Sequence, residues 1–208
     1  MFNIKQENVI AESKAVITDS QLVINCQKGD RLSFRELYRR YQQRVRASLY
    51  QLCGNDGLDD LVQEVFLRVW KGLPKLKEVT YFATWLYRIT WNVATDQRRQ
   101  LARKRLERFS FNQRSLERGE EEEVNSLHNF SRPEDTPDIM QLHYQELIQK
   151  GLEILSLEHR VVLVWHDLED IPQKDVAEIL KLPIGTVKSR LFYARKQIRK
   201  FLEKEGAI

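Results

Sequence analysis

The stretch YFATWLYRITWNVATDQRRQLARKR, residues 81–105, carries five aromatic side chains in its first eleven residues and ends in a run of arginines and lysines. At 100° per residue, one side of such a helix collects an apolar stripe that predicts a core face: Phe82, Trp85, Leu86, Ile89 and Val93. The other side collects Tyr81, Thr84, Arg88, Trp91, Asn92, Thr95 and Arg99, with Tyr87 and Arg98 along one edge.

This second side has an unusual composition for a helix face in water, which normally carries glutamate and lysine. Aromatic rings stack on unpaired bases for about 1–3 kcal/mol each, and arginines follow a phosphate backbone. We therefore expect the helix to hold a single strand of nucleic acid, with its rings and guanidinium groups facing solvent.

Charge is distributed unevenly along the chain, although the net charge is only +4. Residues 98–108 hold six Lys/Arg against one acid, and the last 38 residues hold nine against four. Between them, residues 110–139 carry three arginines against eight acids. Two basic blocks separated by an acidic spacer predict two surfaces that bind polyanions.

The composition, 42% apolar and 31% charged over 208 residues, is that of a folded protein. No apolar run reaches the roughly 18 residues of a membrane span, and the N-terminus lacks a signal-peptide layout, so we expect a cytoplasmic protein. Cys26 and Cys53 have no CxxC partner and are interpreted as small buried hydrophobes. The four histidines lack ligand spacing, so neither a metal site nor a cofactor is expected.

Helical periodicity divides the chain into two parts. The segments 30–52, with a short helix before it over 20–27, and 58–73 place apolar residues at spacings of three and four. The pattern resumes from residue 139 to the C-terminus. We predict an all-α protein with two small helical domains, 20–106 and 139–208, an N-terminal extension over 1–19, and a flexible acidic linker over 107–138.

Residues 173–192, QKDVAEILKLPIGTVKSRLF, fit a helix-turn-helix. Three side chains of the first helix (Val176, Ala177 and Leu180) and two of the second (Val187 and Leu191) can pack inward, with Leu182 and Pro183 at the corner. The outward positions then present Thr186, Lys188, Ser189, Arg190 and Tyr193 to the major groove of a duplex. Arg195, Lys196, Arg199 and Lys200 extend this positive surface or serve as solubilising charge.

Three segments resemble a known family in order and spacing. DLVQEVFLRVWKGLPKL, YFATWLYRITWNVATDQRR and the stretch from Ser156 to Leu202 are similar to regions 2 and 4 of bacterial RNA polymerase sigma factors of the extracytoplasmic-function (ECF) type. The resemblance implies a protein that binds core RNA polymerase, through the clamp helices of the β′ subunit and the β flap, and directs it to promoter DNA. It also implies control by an anti-sigma factor and a role in a stress response, with no enzymatic activity and no small-molecule substrate.

The resemblance assigns roles to individual positions. The surface that docks the clamp helices corresponds to Asp60, Gln63, Glu64 and Arg68. The loop that captures a flipped base of the minus-10 element corresponds to Leu76, Lys77, Glu78, Val79 and Thr80. The path of the non-template strand corresponds to Tyr81, Arg88, Asn92, Arg98 and Arg99. The minus-35 duplex is read by positions that correspond to Thr186, Lys188, Ser189, Arg190, Phe192, Tyr193 and Arg195.

Two other functions compete with this interpretation. A stand-alone helix-turn-helix regulator would need no aromatic single-strand face and would usually dimerise on a palindrome. An enzyme acting on nucleic acid would need a carboxylate cluster, a metal-ligand set or a nucleophile constellation, and the sequence shows none of these patterns.

Overall fold

The computed structural model describes residues 17–116 and 139–207, and within those ranges every regular element is helical. The elements are α1 (Asp19–Gln27), α2 (Arg31–Cys53), α3 (Leu58–Gly72), two short 3-10 helices (Leu73–Lys75 and Val79–Tyr81), α4 (Phe82–Leu116), α5 (Ile139–Glu153), α6 (Leu157–Leu163) with a wider π-helical turn after it (Val164–Leu168), α7 (Gln173–Leu180) and α8 (Ile184–Lys204). The all-α fold class is confirmed.

Helices α1 to α4 form the first module. Thr18 caps α1 by accepting a hydrogen bond from the Gln21 amide at 3.3 Å, and Asp30 caps α2 by accepting one from the Leu32 amide at 2.8 Å. Apolar side chains from every helix then meet in one core, as the helical spacing predicts. The fully buried members of α2, α3 and α4 include Val45, Leu49, Val65, Val69, Phe82 and Leu86.

Helices α5 to α8 form the second module, and the predicted helix-turn-helix is α7, a short turn and α8. Ser156 caps α6 by accepting from the His159 amide at 3.4 Å. The corner depends on Lys181, which adopts a left-handed conformation with φ 55° and ends α7. Pro183 then precedes α8 as its N-cap residue. Val187 and Leu191 of α8 are buried as predicted.

Two predicted boundaries fall inside helices. Helix α4 continues to Leu116, ten residues past the expected domain end at 106, because residues 107–116 offer no glycine or proline to stop it. Helix α1 begins at Asp19, within the expected N-terminal extension. The rest of that extension, 1–16, and the acidic run of the linker, 117–138, lie outside the described residues.

The two modules pack against each other along α4. Their buried side chains belong to one continuous cluster, and α4 contacts α7 while α2 contacts α6 and the turn that follows it. This contact covers part of the α4 face that the sequence assigned to a nucleic-acid strand, so it bears directly on the candidate site.

Candidate nucleic-acid interface

One side of the loop before α4 is hydrogen-bonded to α1, and its other side is open to solvent. Gln27, at the end of α1, donates its side-chain amide to the carbonyls of Leu73 at 3.0 Å and Leu76 at 2.8 Å. Leu76 and Val79 are half-buried against the core, whereas the remaining members of the loop are exposed: Lys77, Glu78 and Thr80. The sequence analysis did not single out Gln27, because a glutamine at a helix end has no pattern that reveals a partner 46 residues away.

Three of the five predicted strand-path residues reach solvent freely from this loop and α4. Tyr81 is 54% exposed, and Asn92 and Arg99 are also exposed. Arg98 is also exposed, but one of its guanidinium nitrogens donates to the Leu52 carbonyl near the end of α2, at 3.3 Å. These four side chains form a partial ring-and-cation surface along the open side of α4.

The fifth residue, Arg88, points at the second module. Its Nη2 donates to the Glu178 carbonyl at 2.9 Å and its Nε to the Ile179 carbonyl at 3.3 Å. Both carbonyls lie in the last turn of α7, where the Glu178 carbonyl also accepts from the Lys181 amide at 3.2 Å and where the helix dipole favours a cation. The guanidinium that was predicted to meet a phosphate therefore has protein partners in this conformation.

The prediction of solvent-facing rings is wrong at Tyr87, which is only 6% exposed, and Trp91 is half-buried. Both rings pack edge-to-face on Trp165, with centroids 5.6 Å and 6.2 Å away. Burial raises the pKa of the Tyr87 hydroxyl to about 12. The periodicity of α4 identifies the side that faces its own bundle, but it contains no information about a second module that covers the other side.

The predicted polymerase-docking residues lie on the outer side of α3. Asp60 and Gln63 are exposed, while Glu64 and Arg68 are half-buried. Arg68 donates to Glu64 at 2.7 Å and to Asp96 of α4 at 3.0 Å, and these hydrogen bonds raise the pKa of its guanidinium. The two ion pairs of Arg68 thus hold Glu64 and Arg68 in place, whereas Asp60 and Gln63 stay available to a partner protein.

The outward face of α8 has the composition that the helix-turn-helix prediction requires. Lys188, Ser189, Phe192 and Tyr193 are exposed, the two rings by 63% and 54%, while Thr186 and Arg190 are half-buried. The Ser189 hydroxyl donates to the Thr186 carbonyl at 3.0 Å. Beside this face a cleft of about 510 Å³ is lined by Gln173, Lys188, Leu191, Phe192, Arg195, Lys196 and Arg199. Four of these seven side chains are cationic, which suits a polyanion.

Arg195, at the mouth of this cleft, has a bidentate ion pair with Asp167. Its Nε and Nη2 donate to the two carboxylate oxygens at 2.9 Å and 2.6 Å, which raises the pKa of the guanidinium. His166 is occupied as well: its Nδ1 lies 2.9 Å from the Ile171 carbonyl, which can only accept, and its Nε2 lies 3.2 Å from the Gln173 amide. His166 cannot contact a phosphate without exchanging these partners, whereas Arg195 can do so through Nη1, which takes no part in the ion pair.

Both cysteines are at least partly buried, as their interpretation as small hydrophobic side chains predicts. Cys26 is buried and Cys53 half-buried, and burial raises the pKa of both thiols to about 11. Both therefore stay protonated at neutral pH. Within residues 17–116 and 139–207, no cluster of three histidine, cysteine or acidic side chains has a geometry that could bind a metal ion.

Comparison with protein families assigns a family region to each of the two modules. Residues 37–104 match the family Sigma-70 region 2, and residues 145–198 match Sigma-70, region 4. The two matches fall on the strand-path helix and on the helix-turn-helix, in that order. The chain belongs to the ECF group of the sigma-70 family.

Relatives of this sigma factor align with it over nearly their whole length. The ECF RNA polymerase sigma-E factor of Haemophilus influenzae is 29% identical over 184 residues, 88% of this chain and 94% of that one. The sigma-E factor of Escherichia coli K12 is 29% identical over 182 residues, 88% and 93% of the two chains. Sigma factors of this kind are non-enzymatic transcription initiation factors.

Solved structures share the fold. CnrH, in complex with the cytosolic domain of CnrY, superposes with a TM-score of 0.64 at 20% identity, covering 89% of this chain and 97% of that one. The sigma factor RpoE of Bartonella quintana, in complex with the anti-sigma factor NepR, superposes with a TM-score of 0.60 at 22% identity, covering 82% and 96%. Across the described portion of this sigma factor, no helix combines the length and hydropathy needed to cross a bilayer.

Proposed function

We propose that this sigma factor binds core RNA polymerase, directs it to promoters that carry minus-35 and minus-10 elements, and traps the melted non-template strand. The single observation that carries the proposal is that one chain combines a helix-turn-helix with a cationic cleft, which we assign as a duplex reader, and an exposed helix face of ring, amide and guanidinium groups, which we assign as a single-strand surface. The duplex reader is α8 with its cationic cleft, and the single-strand surface is the open side of α4 with Tyr81, Asn92 and Arg99.

The proposed division of labour follows the two modules. Residues 20–106 dock the polymerase clamp helices through the outer side of α3, capture a minus-10 base with the loop 76–80, and hold the strand on α4. Residues 139–208 bind the β flap and read the minus-35 duplex. A flipped base is stabilised by pocket contacts that replace its lost pairing and stacking, which favours opening at one place.

The protein itself catalyses no covalent step in this scheme. Its contribution is binding free energy that favours the melted form of the promoter over the duplex. We place it in the cytoplasm, where it meets the polymerase and the chromosome.

Control by an anti-sigma factor is proposed because the two structures that share its fold are, by their descriptions, complexes with CnrY and with the anti-sigma factor NepR. Induction by a stress is proposed on the family resemblance.

Run-off transcription with purified core polymerase and a pool of genomic fragments tests this function. Core plus the sigma factor should initiate at a limited set of sites, and core alone should not.

The docking surface is tested by charge reversal at Asp60, which is exposed and has no ion pair among the described residues. Asp60→Lys should reduce co-purification with core while leaving the fold unchanged by circular dichroism, and Asp56→Lys, in the turn before α3, serves as the matched control.

A stand-alone regulator would give a different result. The protein by itself would then protect a palindrome from nuclease digestion, and core plus the protein would initiate nowhere. That pair of results would replace the proposed function.

A further inference from the structure

The π-helical turn after α6, Val164–Leu168, is followed by a loop that folds back on it. The Ile171 amide donates to the Trp165 carbonyl at 2.8 Å, and Asp170 has a left-handed conformation with φ 55° where the chain reverses. Turns of this width are rare and occur frequently at functional sites. His166, at the centre of the turn, is therefore a candidate for a functional role.

Both ring nitrogens of His166 have partners, and the partners differ in kind. Nδ1 lies 2.9 Å from the Ile171 carbonyl, which can only accept, so Nδ1 carries a proton. Nε2 lies 3.2 Å from the side-chain nitrogen of Gln173, which can only donate, so Nε2 is the acceptor. Asp167 is 4.0 Å from Nε2 and is paired with Arg195. The ring thus connects the folded-back loop to Gln173 through one hydrogen bond on each side.

The side chain of Gln173 lies in the cationic cleft beside α8, together with Lys188, Phe192 and Arg195. One hydrogen of its amide nitrogen is used by His166, and the second hydrogen remains for a ligand. In a helix-turn-helix the first helix crosses the phosphate backbone, while the second enters the major groove. Gln173 is the first residue of α7, so the DNA group expected beside it is a phosphate oxygen.

We propose that Gln173 is a further duplex contact of this sigma factor, which donates its free amide hydrogen to a phosphate oxygen, and that His166 positions it. The inference rests on the proposed function, because it concerns how the second module holds the minus-35 duplex. Without the acceptor on His166, the amide can rotate by half a turn and present its carbonyl oxygen, which repels a phosphate. A side chain that is already oriented also loses less conformational entropy on binding.

This contact differs in charge from the others in the cleft. Lys188, Arg195 and Lys196 are cations, and a cation that neutralises a phosphate steepens the dependence of log affinity on log salt by about 0.9. Gln173 is neutral and releases no counterion. Its hydrogen bond should therefore add affinity without changing the salt dependence, which separates its role from that of the lysines and arginines.

The first test measures the affinity of the full-length protein for a short fluorescent duplex of mixed sequence, because phosphate contacts do not depend on the promoter. Gln173→Ala should lower the affinity by about 2- to 12-fold, the range for one net hydrogen bond, and leave the salt slope unchanged. Gln197→Ala is the matched control, since Gln197 is exposed on α8 outside the cleft lining, and it should bind like the wild type. Equal affinity of Gln173→Ala and the wild type, or no binding of the duplex by the wild type, would overturn the proposal.

The second test distinguishes positioning of Gln173 from support of the turn. His166→Gln keeps an acceptor near the place of Nε2 and loses the donor to Ile171, whereas His166→Asn keeps a donor near the place of Nδ1 and does not reach Gln173. His166→Gln should bind the duplex like the wild type, and His166→Asn should lose as much affinity as Gln173→Ala. The reverse order would mean that His166 only supports the turn.

A double variant checks that the two residues act through one contact. His166→Asn combined with Gln173→Ala should bind no more weakly than Gln173→Ala alone, because the losses of coupled residues do not add. Additive losses would show that His166 acts independently of Gln173. If circular dichroism shows that His166→Asn does not fold, His166→Gln decides: a loss equal to that of Gln173→Ala would contradict positioning.

Duplex binding by the protein alone separates this inference from the proposed function. If core polymerase fails to initiate with the wild type while the variants change duplex binding as expected, the proposed function fails and the contact of Gln173 stands. If transcription succeeds but Gln173→Ala and His166→Asn bind the duplex like the wild type, the contact is wrong and the proposed function stands.

Discussion

Gly72 lies directly against the indole of Trp85: a β-carbon on Gly72 would be 2.7 Å from Cζ2 of that ring. The contact fixes how the end of α3 approaches the start of α4, and therefore where the loop 73–81 begins. The φ angle of Gly72 is not in the left-handed region, so backbone conformation does not require a glycine here. The reason for the glycine is the space that the indole of Trp85 occupies.

Gly72→Ala should destabilise the protein by about 1–3 kcal/mol, because the added methyl group forces the indole or the helix end to move. Gly185→Ala is the matched control: this glycine lies in the first turn of α8, a β-carbon on it would have no neighbouring atom within 4 Å, and alanine favours a helix by up to about 1 kcal/mol over glycine. Urea denaturation should therefore shift in opposite directions for the two variants. A stabilised Gly72→Ala would show that the ring adapts without cost.

Tyr81→Ala should impair promoter opening far more than promoter binding. Loss of one stacked ring, about 1–3 kcal/mol, corresponds to a reduction of roughly 5- to 150-fold in the open fraction. Permanganate reactivity of promoter thymines in the assembled holoenzyme reports opening, and gel mobility on duplex reports binding. Tyr81→Phe keeps the ring and should open normally. If Tyr81→Phe were as defective as Tyr81→Ala, the hydroxyl and not stacking would be responsible.

Lys188→Ala should weaken binding to the minus-35 duplex and reduce the slope of log affinity against log salt by about 1, because one phosphate contact is lost. The control is Lys204→Ala, 16 residues further along α8 and hence about 24 Å away along the helix. Fluorescence anisotropy of the holoenzyme over a range of salt concentrations gives both slopes. Identical slopes for wild type and Lys188→Ala would remove Lys188 from the duplex surface.

Asp167→Asn should increase the affinity of the protein for duplex DNA, because it releases Arg195 from its bidentate pair and removes a negative charge beside the cleft. The pair is partly exposed, so unfolding free energy should fall by less than about 1 kcal/mol. Asp59→Asn is the matched control, since Asp59 pairs with Arg46 in the first module. An equal gain for both variants would mean that net charge alone is responsible.

Glu169 should make the contact between the two modules sensitive to pH. Burial raises the pKa of its carboxyl above the ordinary 4.5, and Asp170 adds to the rise, while Arg44 of α2 opposes it; Tyr87 of α4 faces the same group. A raised carboxyl pKa means that the protonated form favours the packed state. The contribution is complete below pH 4.5 and is lost as the pH rises through the raised value.

Glu169→Gln, which mimics the protonated form, should therefore match the wild type in thermal stability near pH 4 and exceed it at pH 7. Glu205→Gln, an exposed acid after the end of α8, provides the comparison and should show no such divergence. Melting curves of the three proteins across this pH range measure the effect. A constant difference between Glu169→Gln and the wild type would show that the carboxyl is not desolvated.

Much of the local structure could be predicted from residue spacing. The stripes on α3 and α8 are buried as expected, because a helix places every third or fourth side chain on one face whatever surrounds it. The corner of the helix-turn-helix was located by Leu182 and Pro183, but its left-handed residue, Lys181, was not, since lysine rarely adopts that conformation. Trp165 was recognisable only as part of an apolar run.

Periodicity and motifs within single segments were enough to predict the all-α class, the two nucleic-acid modules and the family. Which of the functional side chains are accessible depends instead on how the modules pack. Tyr87, Trp91 and Arg88 have the composition of a binding surface, yet Trp165 and the last turn of α7 cover them. Their partners lie more than 70 residues away in the chain, and the pattern of one helix contains no information about what packs on its outer side.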